Sequence, residues 1–321
     1  MKRFKNILYI YEGSVAQEAT IASAVSLAQN NQADLTVIDV IPEVTAGIGI
    51  PPGGPISTDL NAAMITERRQ MLESLITPYR QQLDIYTDVL VGIKFLEAIR
   101  AVLKNKYDLL IKPAENPDYI KRLFGSEDMH LLRKCPCPVW LMKAEETSNY
   151  ECIVAAVDID PYGSDSAEQT LNQMILELAS SIALSDSAVL HLVHVWNAPQ
   201  AGFASLWADN PDAAERNFIE GAREEHQNAM NKLTLNMRKQ IGTEAYEYLL
   251  PRIHLHRGEA KKAIPELVRK LKADLVVMGT AARTGIPGFI IGNTAEAILD
   301  QLQCSVLAIK PPGFVSPVTL D

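Results

Sequence analysis

Two stretches of this chain are variants of one pattern, and that repetition limits its fold more than any other feature. "DLLIKPAENPDYIKRLFGSEDMHLLRKCPCPVWLMK" (108–143) aligns with "DLVVMGTAARTGIPGFIIGNTAEAILDQLQCSVLAIK" (274–310). Asp108 matches Asp274. With one residue fewer in the first copy's loop, Gly125 matches Gly292, Cys137 matches Cys304 and Lys143 matches Lys310. The match continues upstream: 7–14 parallels 153–160, 33–41 parallels 188–196, and 91–110 parallels 257–276. A chain that repeats itself in this way is one supersecondary plan written twice. The expected units are 1–146 and 150–312, followed by a C-terminal tail at 313–321; the closing stretch "PPGFVSPVTLD" carries three prolines and is expected to lie extended along the surface. The polar stretch "KAEETSNY" reads as the linker.

Within each copy, strand-like and helix-like segments alternate. "CIVAAVD", "AVLHLVHVW", "DLVVMG" and "SVLAIK" are continuous apolar runs, while Leu171, Ile175, Leu178 and Ile182 recur at helical spacing. Uninterrupted apolar strands between amphipathic helices predict an α/β fold whose parallel sheet is covered on both faces. Right-handed crossovers make each copy a five-stranded, doubly wound, flavodoxin-like domain. Ligands of such sheets bind beyond the carboxyl ends of the strands, where strand order reverses. The fifth strands, "PVWLM" and "SVLAI", would be apolar edges, which tend to pair. They are expected to pair with each other as an intrachain pseudo-dimer, with a homodimer as the other outlet. Two long excursions, 42–60 and 197–215, follow the second strands. The later one carries Phe203 and Trp207, candidates either for an apolar cleft or lid or for packing against the neighbouring domain.

Bulk properties remove several function classes. The net charge is −9, so direct binding to nucleic acid or to an anionic membrane is not favoured. Lys261, Lys262, Arg269, Lys270 and Lys272 have helical spacing beside Glu266 and read as a solvated face. No apolar run approaches the roughly 20 residues of a membrane span. Four cysteines form no disulfide-dense or zinc-type pattern, which points to the reducing cytoplasm. Cys137 aligns with Cys304 and reads as a small buried residue. His191, His194, His254 and His256 fall on adjacent strands. Neutral, hydrogen-bonded rings are the expected state rather than a two-histidine metal site, because no carboxylate or cysteine completes one. No nucleophile is paired with a base, so no catalytic residues are assigned and catalysis beyond slow, incidental ATP hydrolysis is unsupported.

The loop after the second copy's fourth strand holds the candidate site. Gly279 ends the strand at a sharp turn, and Gly292 precedes a helix whose first N–H groups suit phosphate oxygens. Asn293 and Thr294 add side-chain donors. Against this stands a capping-box reading, in which Asn293 and Glu296 satisfy the same N–H groups without a ligand.

These residues resemble the universal stress protein family in its tandem form, and the resemblance covers both halves. ATP-binding members carry Gly, two residues, Gly, nine residues, Gly, then Ser or Thr, with an Asp ending the first strand. Here Gly279, Ala282, Gly292, Asn293 and Thr294 keep that spacing, with two residue types changed, and Asp158 holds the first-strand position. The resemblance implies ATP or a related nucleotide bound by these residues, with Arg283 a phosphate partner and no metal beyond the Mg²⁺ that accompanies a nucleotide. It also implies a role in the response to starvation, oxidative or DNA-damaging stress, through binding rather than catalysis. The alternatives are a scaffold that holds an apolar or lipid-like metabolite or a protein partner through the long excursions and, more weakly, a slow ATPase. In the first copy, Pro113 stands for Gly279, Glu12 stands for Asp158, and Glu127 and Asp128 follow Gly125-Ser126. Together these argue against a nucleotide there.

Overall fold

The computed structural model describes residues 4–43, 55–115, 124–143, 149–163, 166–206, 209–280 and 291–320. The first half runs β1 (Asn6–Ile10), α1 (Glu18–Asn31), β2 (Asp34–Ile41), α2 (Pro55–Ile76), β3 (Ile85–Val91), α3 (Lys94–Asn105), β4 (Leu109–Pro113), α4 (Ser126–Lys134) and β5 (Val139–Met142). The second half repeats the plan with β6 (Cys152–Val157), α5 (Ser166–Asp186), β7 (Val189–Trp196), α6 (Ala201–Ser205), α7 (Pro211–Ile241) and α8 (Thr243–Leu249). It continues through β8 (Arg252–Arg257), α9 (Ala260–Leu271), β9 (Leu275–Gly279), α10 (Asn293–Leu299) and β10 (Ser305–Ile309).

All the described strands join one ten-stranded sheet in the order β3-β2-β1-β4-β5-β10-β9-β6-β7-β8. Every neighbouring pair is parallel except β5–β10, which is antiparallel, with Trp140 opposite Leu307. The two edges expected to pair therefore do so within the chain, about a pseudo-twofold at Trp140–Leu307. Strand order reverses between β1 and β4 in one half and between β6 and β9 in the other.

The repeat reaches down to single backbone torsions. Gln32 and Ser187 close α1 and α5 in the left-handed region, and Lys106 and Lys272 do the same for α3 and α9. Gly92 and Gly258, at φ 149° and 153°, make the turns into α3 and α9, a conformation that favours glycine. Asp108 accepts the amides of Lys5 and Asn6 at 2.7 and 3.1 Å, and Asp274 accepts those of Glu151 and Cys152 at 2.8 Å each. Each carboxylate thus ties a fourth strand to the start of a first strand.

Apolar cores fill both faces of the sheet. One lies under α1, α2, α5 and α7, and the other under α3, α4, α9 and α10. Pro265 sits inside α9 and frees the Lys261 carbonyl, which then accepts the Gln301 side-chain amide at 2.9 Å. Cys135 and Cys137 are both buried, as small packed residues.

The halves are also tied outside the sheet. Arg133 of α4 pairs with Glu296 of α10. The Lys310 ammonium donates to the Leu132 carbonyl at 2.6 Å, and burial pushes its pKa down to about 8. The tail crosses onto the first half: Ser316 donates to the Lys134 carbonyl at 2.7 Å, and Arg100 donates to that of Thr319 at 3.2 Å.

Both excursions are shorter than the sequence reading gave. α2 starts at Pro55, because proline suits the first position of a helix. The second excursion contains α6 and the start of α7, where Pro211 follows an Asn210 cap whose side chain accepts from Ala213 at 3.1 Å.

Candidate functional site

At corresponding described positions the two switch-point crevices carry different side chains. In the first half the crevice holds its own ions. Lys112 of β4 is 0% exposed, and its ammonium lies 2.7 Å from Asp128, 3.1 Å from Glu12 and 3.6 Å from Glu115. Lys94 reaches the same Glu12 oxygen at 3.0 Å. Asp128, also 0% exposed, accepts the amides of Glu115 at 2.8 Å and Gly125 at 3.3 Å. Its carboxylate therefore occupies the start of α4, where an anion bound to a helix N-terminus would sit. The Glu115 side chain packs so closely over Gly125 that any Cβ there would collide with it.

These contacts set the local titration. Burial alone would lower the Lys112 pKa, but Asp128, Glu12 and Glu115 outweigh it and raise it. Burial would raise the Glu12 carboxyl, but Lys112 and Lys94 hold it below the ordinary value. Burial, with Asp128 adding to it, pushes Glu115 up. Glu127 turns away and accepts the Phe95 amide at 2.9 Å, capping α3.

In the second half, Met278 and Ala295 stand where the first half has Lys112 and Asp128. Asp158 follows β6, exposed, with its backbone latched to Asn172: its amide donates to Oδ1 at 3.1 Å, and Nδ2 donates to its carbonyl at 2.5 Å. Asp160 is a turn residue, its carboxylate accepting from the Tyr162 amide at 3.0 Å. Gly279 ends β9, next to β6, so it lies at the same sheet edge as Asp158. The Leu171 side chain packs over this glycine: a Cβ there would come within 2.8 Å of its Cδ2, so that side chain would have to shift. Thr280 is buried. Its amide donates to Ile309 at 3.0 Å, and its carbonyl accepts from Gly292 at 3.2 Å, closing the base of the loop.

Gly292 is the N-cap of α10, in extended conformation, with no side-chain cap bond. Asn293 and Thr294 occupy the first helical positions and are exposed. The capping-box expectation therefore fails. The helix starts one residue earlier than that reading needs, with Gly292 and not Asn293 as its N-cap, and Glu296 is drawn to Arg133 across the pseudo-twofold. Phe203, on α6, is 71% exposed. Ala282, Arg283 and Trp207 lie outside the described residues.

Sequence reasoning missed Asn172, Leu171 and Thr280, which position this loop, and Lys112, which fills the other one. Only Lys112 left a signal, as a lone charge inside "LLIKP".

The histidines form two separate pairs. His191 Nδ1 lies 2.7 Å from His254 Nε2, and His194 Nε2 lies 2.9 Å from His226 Nδ1 of α7, a partner the sequence did not suggest. Among the described residues, no group of three or more His, Cys, Asp or Glu side chains could hold a metal ion. Burial, then His254 and Arg252, push His191 down from 6.5 to about 4. Such a ring stays neutral in the folded chain while the unfolded chain takes up a proton. Stability should therefore fall as pH drops from about 6.5 to about 4. Urea midpoints measured across that range should show the loss, reduced in His191→Gln. Identical pH profiles for the two proteins would contradict it.

Comparison with known proteins gives consistent findings. The model of the universal stress protein family matches residues 3–143 and again 149–310. Universal stress protein E of Photorhabdus laumondii is 27% identical over 99% of this chain and 98% of its own length. Universal stress protein E of Escherichia coli K12 is 32% identical over 71% of this chain and 68% of its own. Among solved structures, a Pseudomonas aeruginosa PAO1 protein of unknown function superposes with a TM-score of 0.69 at 23% identity, covering 97% of this chain and 94% of that one. A universal stress protein from Archaeoglobus fulgidus gives 0.62 at 17% identity, covering 95% and 98%.

Proposed function

The chain belongs to the universal stress protein family, and on that premise we propose that it is a ligand-binding protein of the stress response with one nucleotide site, in its second half. The observation that carries this reading is the contrast at the fourth-strand loops. Asp128 supplies an internal anion to α4, whereas among the described residues no side chain caps α10, and Ala295 stands at the corresponding place. A phosphate would find backbone donors at the first turn of α10 and the polar side chains of Asn293 and Thr294. Asp158 lies across the crevice as an acceptor for a ribose hydroxyl or an adenine amine. Ala282 and Arg283 enter this reading from sequence alone. ATP or a related nucleotide, with its Mg²⁺, is the proposed ligand, and the cytoplasm the proposed location. Among the described residues, no helix is long and apolar enough to cross a membrane.

The test compares melting with and without ATP. At a hundredfold excess over Kd, binding to the native state adds about 2.7 kcal/mol, on the order of 5 °C for units of this size. Thr294→Glu places a carboxylate where the first half has Glu127, at an exposed position that tolerates it, and should abolish the shift. No shift of the wild-type protein at millimolar ATP would end the nucleotide reading.

A second reading rests on the exposure of Phe203 and Leu206, at 71% and 67%. Apolar groups left outside suit an apolar metabolite or a protein partner. Native mass spectrometry of the purified protein distinguishes a co-purified apolar ligand from a nucleotide.

A further inference from the structure

A cavity of about 750 Å³ lies over β5, beside the seam with β10, between α1 and α5 and on the face of the sheet opposite α4 and α10. Its size falls within the range of small-molecule sites. Trp140 and Met142 of β5 form its apolar floor. Its walls are hydroxyl-rich, with Ser23 and Ser26 on α1 and Ser181 and Ser185 on α5.

Its electrostatics are one-sided. Glu177 and Asp186 line it, and no Lys, Arg or His does so among the described residues. The C-terminal ends of α1 and α5 meet there, with Asn30 donating to Ser185 at 3.5 Å. Helix C-termini carry partial negative charge, usually offset by a basic residue in the last turn. α1 and α5 have none, as is also true of α2, α6, α8 and α10, so the two helix ends that meet here are not offset from within their own last turns. Arg238, which precedes the lining residue Gln240, is engaged by Glu247 at 2.8 Å. The field in this cavity repels phosphates and carboxylates, and its floor favours hydrocarbon or an aromatic contact with a cation.

We propose that this seam cavity is a second ligand site, one that takes an organic cation with an apolar body, a linear polyamine being the simplest form. The ammonium groups meet Glu177, Asp186 and the two helix ends. The methylene chain lies on Trp140 and Met142, and the serine hydroxyls accept the remaining N–H groups. The site is built from both halves, so its occupant would bind only the paired chain.

Titration calorimetry with spermidine, at physiological ionic strength on the full chain, tests this. The expected result is saturable binding at one site, weakened roughly tenfold in Glu177→Gln, the loss of one charge–charge contact. Ser181→Trp, from a half-buried position on the cavity wall, should remove it. ATP should not compete, so failure here and failure of the nucleotide site are read separately. No saturable binding would overturn the proposal. So would affinity that Glu177→Gln leaves unchanged, since that would show only general attraction to an acidic protein. Should Ser181→Trp fail to fold, Glu177→Gln decides alone.

Discussion

Asp128→Ala is expected to cost about 3–4 kcal/mol of folding stability, measured by urea unfolding. Removing one member of a buried ion pair typically costs about 3–5 kcal/mol, because the other charge is left in a medium that solvates it poorly. Lys112 keeps Glu12 at 3.1 Å and Glu115 at 3.6 Å, which places this loss toward the lower end. The lost cap of α4 adds about 1 kcal/mol. The second half indicates how the damage can be limited. It carries Met278 and Ala295 at the corresponding positions and folds to the same plan. Lys112→Met together with Asp128→Ala removes both charges and leaves Glu12 with Lys94, so the double variant should be more stable than Asp128→Ala alone. A double variant that loses the sum of the two single losses would show that these charges do not act as a pair.

Trp140→Ala is expected to cost about 3–5 kcal/mol, the range for emptying a large aromatic site in a core. Trp140 is 3% exposed, faces Leu307 across the seam, stacks on Tyr150 at 5.9 Å between centroids, and donates its indole N–H to the Tyr150 hydroxyl at 3.2 Å. The substitution opens a cavity at the pseudo-twofold and removes the indole hydrogen bond to that hydroxyl. Since the seam joins the two halves, unfolding should also lose cooperativity, with fluorescence and circular dichroism transitions separating. Trp140→Phe keeps most of the ring and should lose less than half as much. A cost for Trp140→Ala below about 1.5 kcal/mol would mean that the seam is a contact and not a core.

The parts of the fold legible in sequence were those fixed by periodicity and repetition. Asp108 and Asp274 make equivalent strand ties, and Gly92 and Gly258 make equivalent turns, so aligning the halves located both. The antiparallel β5–β10 pairing followed from two apolar edges within one chain. What failed was decided by tertiary contact. Glu296 fits a local capping pattern with Asn293, but Arg133 arrives from the other half and takes it. His226 reaches His194 only because the long helix α7 folds back over β7. "GIPPGGPIS" reads as loop from composition, yet Pro55 opens a helix of 22 residues. At the candidate site, the sequence located Asp158, Gly279 and Gly292 at one sheet edge. It did not show that the Leu171 side chain packs directly over the glycine at 279.

The most direct test of the asymmetry between the halves is hydrogen exchange of the intact chain with and without saturating Mg·ATP, resolved to peptides that contain the first turns of α4 and α10. Slowed exchange across 292–295, with 125–128 unchanged, is the predicted result, because Asp128 already holds the earlier helix start. Slowing at 125–128, or no slowing at either place, would contradict it.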